Sequence, residues 1–169
     1  MQTMKIVRIS VIALAVASAG AFTSSAQAAT GTANASAVIL TPISITKNVD
    51  LAFGDVYPDS AAAGTVTIDA AGTRTAGGAA ALGATAGAAA QFAVSGQASA
   101  AYAITLPAAA VTLTSGANTM TVDSFTTDGT GALDGTGNET INVGATLNVG
   151  VNQPAGTYNG TFDVTVNYN

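Results

Sequence analysis

The 169-residue chain has no cysteine and no histidine, and its lysines and arginines together number 4. Without cysteine no disulfide can staple the fold, even in an oxidising compartment, so stability must come from packing and strand pairing. Without histidine, a serine or threonine nucleophile lacks its usual general base, and no Ser-His-Asp arrangement can be assembled. Charged residues make up 8% of the chain and aromatics 5%. That scarcity, set against abundant Gly, Ala, Thr and Val, argues for a strand-rich extracellular protein and against a solvated helical one. The composition is neither charged nor proline-rich enough for wholesale disorder. No repeat period marks a propeller or solenoid.

The N-terminus reads as a targeting segment. Lys5 and Arg8 give a basic start, an apolar run follows from Ile9 to about Phe22, and Ala26-Gln27-Ala28 closes it with small residues. This is the pattern of a secretory signal peptide over 1–28, cut after Ala28. The run is too short and too rich in small residues to span a bilayer well, and no later stretch could span one as a helix. Residues 29–169 then form one domain's worth of exported chain. It keeps Lys47 and Arg74 as its only cations against all 9 carboxylates, a formal charge of −7. Such a chain has no electrostatic footprint for nucleic acid and is repelled by anionic membrane surfaces.

The most informative stretch is the last. From Tyr158 to Asn169 the even positions hold Tyr158, Phe162, Val164, Val166 and Tyr168, and the odd positions hold Asn, Thr and Asp. Only Gly160 breaks the row, and such alternation puts the apolar residues on one face of a strand. An isolated strand cannot bury that face, so it must lie on a larger β-structure.

Earlier parts of the chain repeat the theme. Residues 29–37 alternate weakly through Ala33, Ala35 and Ala37, with Ile39 continuing the row, and are either an extended arm or a weak first strand. Val38-Ile39-Leu40 reads as strand, Ile43 and Ile45 alternate, and Lys47-Asn48 marks a turn. Leu51 and Phe53 make a short alternating pair, Tyr57-Pro58-Asp59-Ser60 is a turn by composition, and Thr65–Asp69 is a β-branched strand. The Ala/Gly stretch 76–90 reads as a loop, because its glycines oppose the helix its alanines favour. Further strands are expected around Phe92 and Val94, Tyr102–Leu106, Val111 and Leu113, Met120–Phe125, Ile141 and Val143, and Leu147–Val151. Many short strands between turn signals predict an all-β, antiparallel immunoglobulin-like β-sandwich.

Candidate chemistry is thin. Lys47 and Arg74 read as solvated surface cations. The acidic residues fall in turns or alternate outward, as Asp123 and Asp163 do, so no paired-carboxylate site is expected and the chain reads as a non-enzyme. Asp128, Asp134, Asn138 and Glu139 sit on the Gly-rich loop 127–139. They could offer oxygens to calcium, but their spacing fits no EF-hand and a solvated hairpin loop is the plainer reading. No metal or cofactor site is expected. What remains is a sheet margin, whose unpaired N–H and C=O groups can accept another strand.

Here a resemblance enters. The ending Gly-Thr-Phe-Asp-Val-Thr-Val-Asn-Tyr-Asn, with its penultimate Tyr168, resembles the last strand of bacterial fimbrial subunits of the chaperone–usher class. Leu51-Ala-Phe-Gly-Asp-Val56 resembles one of their early strands. Thr41-Pro-Ile-Ser-Ile-Thr, Phe92-Ala-Val-Ser-Gly, Tyr102-Ala-Ile-Thr-Leu-Pro and Ala155-Gly-Thr-Tyr-Asn-Gly-Thr-Phe are similar to segments of a family of secreted proteobacterial proteins whose shared domain has no assigned function. The fimbrial resemblance implies a pilin-like, incomplete sandwich in which Phe162, Val164, Val166 and Tyr168 line a strand-acceptor edge that binds a periplasmic chaperone. Residues 29–37, with Ala33, Ala35 and Ala37, would be the donor arm. Copies of the chain and an outer-membrane usher are the other implied partners, on a path from periplasm to cell surface, with cell adhesion as the expected role. The chain departs from the class in having no cysteine and in the small side chains of its arm. The alternative is a self-complete secreted β-sandwich acting as a surface or matrix binding module.

Overall fold

The structure, a computed structural model, describes residues 27–169. These fall into two compact units, one ending at Ala37 and the other spanning Val38–Asn169. In the first unit residues 27–37 are described. They are exposed and lie in no helix or strand, and Ala33, Ala35 and Ala37 are among them. Most of the expected signal peptide lies outside the described residues.

The second unit is all-β, and its ladders are antiparallel throughout. Its strands are β1 (Ser44–Val49), β2 (Val56–Tyr57), β3 (Gly64–Ile68), β4 (Arg74–Gly78), β5 (Ala81–Leu82) and β6 (Ala90–Ser95). They continue with β7 (Tyr102–Thr105), β8 (Val111–Ser115), β9 (Asn118–Thr127), β10 (Asn138–Val149) and β11 (Thr165–Tyr168). The main sheet runs β1-β6-β10-β3-β4, with β9 also on β10 and β8 on β9. Two small sheets, β11-β7 and β2-β5, complete a fold of the expected β-sandwich kind.

The long strand β10 organises this arrangement. Ile141, Val143, Ala145, Leu147 and Val149 alternate inward along it and are all buried. Its first half pairs with β6 from Asn138 to Val143, and its second half pairs with β3 from Ala145 to Val149. β9 runs along the opposite margin, so β6 and β3 share one margin end to end. The handover falls at Gly144, where a Cβ would lie 2.2 Å from the Ile68 carbonyl oxygen. Opposite it, the register of β9 slips between Asp123 and Thr126, placing two residues across from Ala145. Ser124 takes φ 52° there, the left-handed conformation of a β-bulge. A bulge increases local twist, which curls the sheet at the point where it changes partners.

The curl divides the core. Val66, Met120, Val122, Ala145, Leu147 and Val149 form one buried cluster. Val94, Tyr102, Leu133, Ile141 and Val166 form another. Each cluster lies under one half of β10.

Four local expectations are revised. Lys47 and Asn48 lie inside β1 at a register irregularity, not in a turn. The stretch 76–90 is not one loop: it supplies the end of β4, all of β5 and the start of β6. Its glycines work in these strands because they allow close approach; a Cβ on Gly77 would lie 2.6 Å from the Thr65 Oγ1. Val38-Ile39-Leu40 is not a strand, and Ile39 is 94% exposed. The terminal segment keeps its alternation, but its regular ladder is confined to Thr165–Tyr168.

Candidate functional site

The terminal segment crosses both clusters. Tyr158 packs on the first cluster, and Val164 and Tyr168 pack on the second, to which Val166 belongs. Phe162 joins them, with its ring centroid 5.0 Å from that of Phe125 and 6.4 Å from that of Phe92. Phe125 belongs with the first cluster and Phe92 with the second. Phe162, Val164, Val166 and Tyr168 therefore share the inward face, as the alternation implies. Thr161, Asp163, Thr165 and Asn167 are exposed.

The backbone of this segment is held at two points. Asn159 bridges Thr114 of β8, with N–H···O distances of 3.0 and 2.8 Å. From Thr165 onward it pairs with β7, Val166 against Ile104 and Tyr168 against Tyr102. Between them, residues 160–164 make no backbone ladder among the described residues. The connection from β7 to β8 swings away here and leaves an open cleft of about 370 Å³ beside Phe162.

Two margins meet near the chain's end. Among the described residues β11 has one strand partner, β7, and β1 has one, β6. β1 and β11 approach each other with no ladder between them. Ile43 and Ile45 from the β1 side, and Val164, Val166 and Tyr168 from the other, cover the same cluster. Tyr168 spans the space: its hydroxyl donates to the Thr41 carbonyl at 2.7 Å and accepts from the Gln97 N–H at 2.6 Å. Gly96 makes room, since a Cβ there would lie 2.2 Å from that hydroxyl.

The polar groups singled out from the sequence are spent on the fold. Arg74, expected to be solvated, is half-buried and donates to the carbonyls of Phe53, Thr85, Gly83 (2.8 Å) and Asp55 (3.3 Å). One guanidinium thus ties the segments flanking the β2-β5 pair, and Thr85 adds a 2.5 Å hydrogen bond to the Asp55 carboxylate. A lone arginine amid alanine and glycine was the available signal for such a clamp. Lys47 pairs with Asp50, and both side chains are exposed.

On the loop 127–139, Asp134 accepts from the N–H groups of Thr136 and Asn138 and from the Thr136 hydroxyl. These bonds, the Asn138 N–H foremost, hold its pKa below the usual value. Asp128 accepts from the backbone and side-chain nitrogens of Asn142, at 2.7 and 2.8 Å. Glu139 accepts from the buried Tyr102 hydroxyl at 2.6 Å, and from the Thr130 N–H and hydroxyl at 2.6 and 2.9 Å. Burial alone would raise the Glu139 pKa, but these hydrogen bonds together outweigh it and the net shift is downward. Burial first, and then the hydrogen bond to Glu139 and its charge, push the Tyr102 phenol upward. Among the described residues no three acidic side chains gather as a cation site.

The fold defines a β-sandwich domain in which two one-sided margins, on β1 and β11, face a shared apolar cluster. Residues 43–168 match the family described as Domain of unknown function (DUF4402), and the chain belongs to that family. The matched region begins just before β1 and ends with the last residue of β11. No curated protein and no solved structure matches the chain.

Proposed function

We propose that this protein is a structural subunit of a cell-surface, fimbria-like polymer, assembled when one copy donates a strand to the next. The observation that carries the reading is the pair of one-sided margins on β1 and β11 over a shared apolar cluster. A strand added along either margin, once the Tyr168–Thr41 contact opens, would satisfy that margin's unpaired backbone groups. Phe162, Val164, Val166 and Tyr168 would line the acceptor, first for a periplasmic chaperone and then for the arm of another copy. The donor is residues 29–37, extended through Val38 and Ile39, which are 85% and 94% exposed. Each alanine of the arm contributes far less than a valine or leucine would, so backbone hydrogen bonds carry most of the attachment. The resemblance of the terminal strand to fimbrial subunits supports the same assembly, along an export route ending at the cell surface.

The test is deletion of residues 29–37 in cells that also express the matched chaperone and usher. The full chain is expected to give boiling-resistant ladders on a gel, and the truncated chain a folded, soluble monomer without ladders. Monomers alone from the full chain, or ladders that survive the deletion, would refute strand donation.

One observation favours a second reading, a self-complete surface or matrix binding module. Tyr168 already ties the two margins together through Thr41 and Gln97, and the inward row of the last strand is covered without any donor. In that case the deletion leaves every property of the chain unchanged.

A further inference from the structure

The geometry points to a binding site for a neutral carbohydrate at the end of the main sheet where β3, β9 and β10 lie side by side. An open cleft of about 470 Å³ opens there, within the size range of small-molecule sites. Its polar lining comes from Thr65, Thr119, Thr121, Asn148 and Gln153, and exposed Ala63 adds an apolar side chain at its edge.

The two amides are held in fixed orientations. Asn148 Nδ2 donates to the Asp123 carboxylate at 2.8 Å and to the Thr121 carbonyl at 3.4 Å. Gln153 Nε2 donates to the Thr119 carbonyl at 3.1 Å and to the Tyr158 hydroxyl at 2.8 Å. That hydroxyl is itself committed to the Pro154 carbonyl at 2.7 Å. Turning either amide over would set oxygen against oxygen, so the nitrogens face the protein. Asn148 Oδ1 and Gln153 Oε1 are left as acceptors with no partner among the described residues. Gly150 keeps the space beside Oε1 open, since a Cβ there would lie 2.9 Å from it.

This set of groups selects a ligand class. Two oriented acceptors beside three threonines suit a molecule dense in hydroxyl groups, and the Ala63 methyl offers a contact for its C–H face. Among the described residues no lysine or arginine lines the cleft, and the Asp123 carboxylate lies in hydrogen-bond contact with Asn148. An anionic glycan is therefore disfavoured twice, locally and by the acidic excess of the whole chain. A neutral sugar meets every condition. The site needs no polymer assembly, so it stands apart from strand donation.

The test is amide and side-chain NH₂ mapping by NMR on the exported chain, titrated with cellotetraose, maltotetraose and chitotetraose, and with tetragalacturonate as the anionic control. At least one neutral tetrasaccharide is expected to shift the Asn148 and Gln153 NH₂ signals and the amides of Thr119–Thr121. Gln153→Ala is expected to weaken that binding at least about tenfold. Thr121→Val, at an exposed position that leaves the fold intact, is expected to weaken it as well. The proposal is overturned if none of the three neutral sugars shifts these signals, if tetragalacturonate shifts them equally, or if Thr121→Val binds like the parent chain.

Discussion

At the residue scale, single side chains close the gaps that a small, disulfide-free fold leaves open. Tyr168 makes two hydrogen bonds to backbone outside its own strand. Tyr168→Phe keeps the ring and loses both, so it should lower unfolding free energy by about 1–2 kcal/mol in urea melts. An unchanged melt would mean that water replaces both bonds. Arg74 holds four carbonyls through one planar fork. A lysine cannot reproduce that geometry, so Arg74→Lys should speed hydrogen exchange at Ala52, Gly83 and Ala88 while leaving β10 protected.

The titrating groups give the pH profile its two ends. Asp59, Asp134 and Glu139 have lowered pKa values in the folded chain, so the stability they contribute is present at neutral pH. It is lost as pH falls through their folded values, when those carboxylates protonate. Tyr102 has a raised value, so its contribution is full below the ordinary tyrosine value of 10.0 and declines as pH rises above it. Thermal melts across pH should therefore show a plateau with a loss at each end, and Glu139→Gln should shrink the acid limb. An acid limb of the same size in that variant would contradict the assignment.

At the element scale, β10 and the terminal segment join the two halves of the core. β10 passes from β6 to β3 at Gly144, where the Ile68 and Asp69 backbone leaves no room for a side chain. Gly144→Ala should therefore destabilise by about 1–3 kcal/mol, read from denaturant midpoints at constant slope. The alternation of Ile141, Val143, Leu147 and Val149 was legible in the sequence, and so was that of the last strand. The continuity of β10 was not, because Gly144 and Ala145 interrupt the row of large residues with small ones. Strands β4 and β5 were missed for a related reason. Alanine and glycine carry no strand signal of their own, and what places them in strands is the close approach of neighbours. Val38-Ile39-Leu40 shows the converse: its propensity is for strand, yet among the described residues it has no ladder partner to realise it. The clamp at Arg74 and the cleft beside Asn148 depend on contacts between distant segments, which local patterning does not encode.

At the scale of the whole molecule, an acidic, cysteine-free chain is proposed to be exported and to act through its backbone at the boundary between β1 and β11. The lack of native cysteine makes that boundary easy to interrogate, because any introduced thiol is unique. Ser36, in the arm, and Asn167, in β11, are both exposed and both belong to the polar rows. The decisive measurement is disulfide trapping in a mixture of two single variants, Ser36→Cys and Asn167→Cys, co-expressed with chaperone and usher. Strand donation predicts a crosslinked heterodimer between the two variants, because the arm of one copy lies along the last strand of another. Surface-exported chains that yield no such crosslink, at Asn167 or at the neighbouring outward position Thr165, would contradict it.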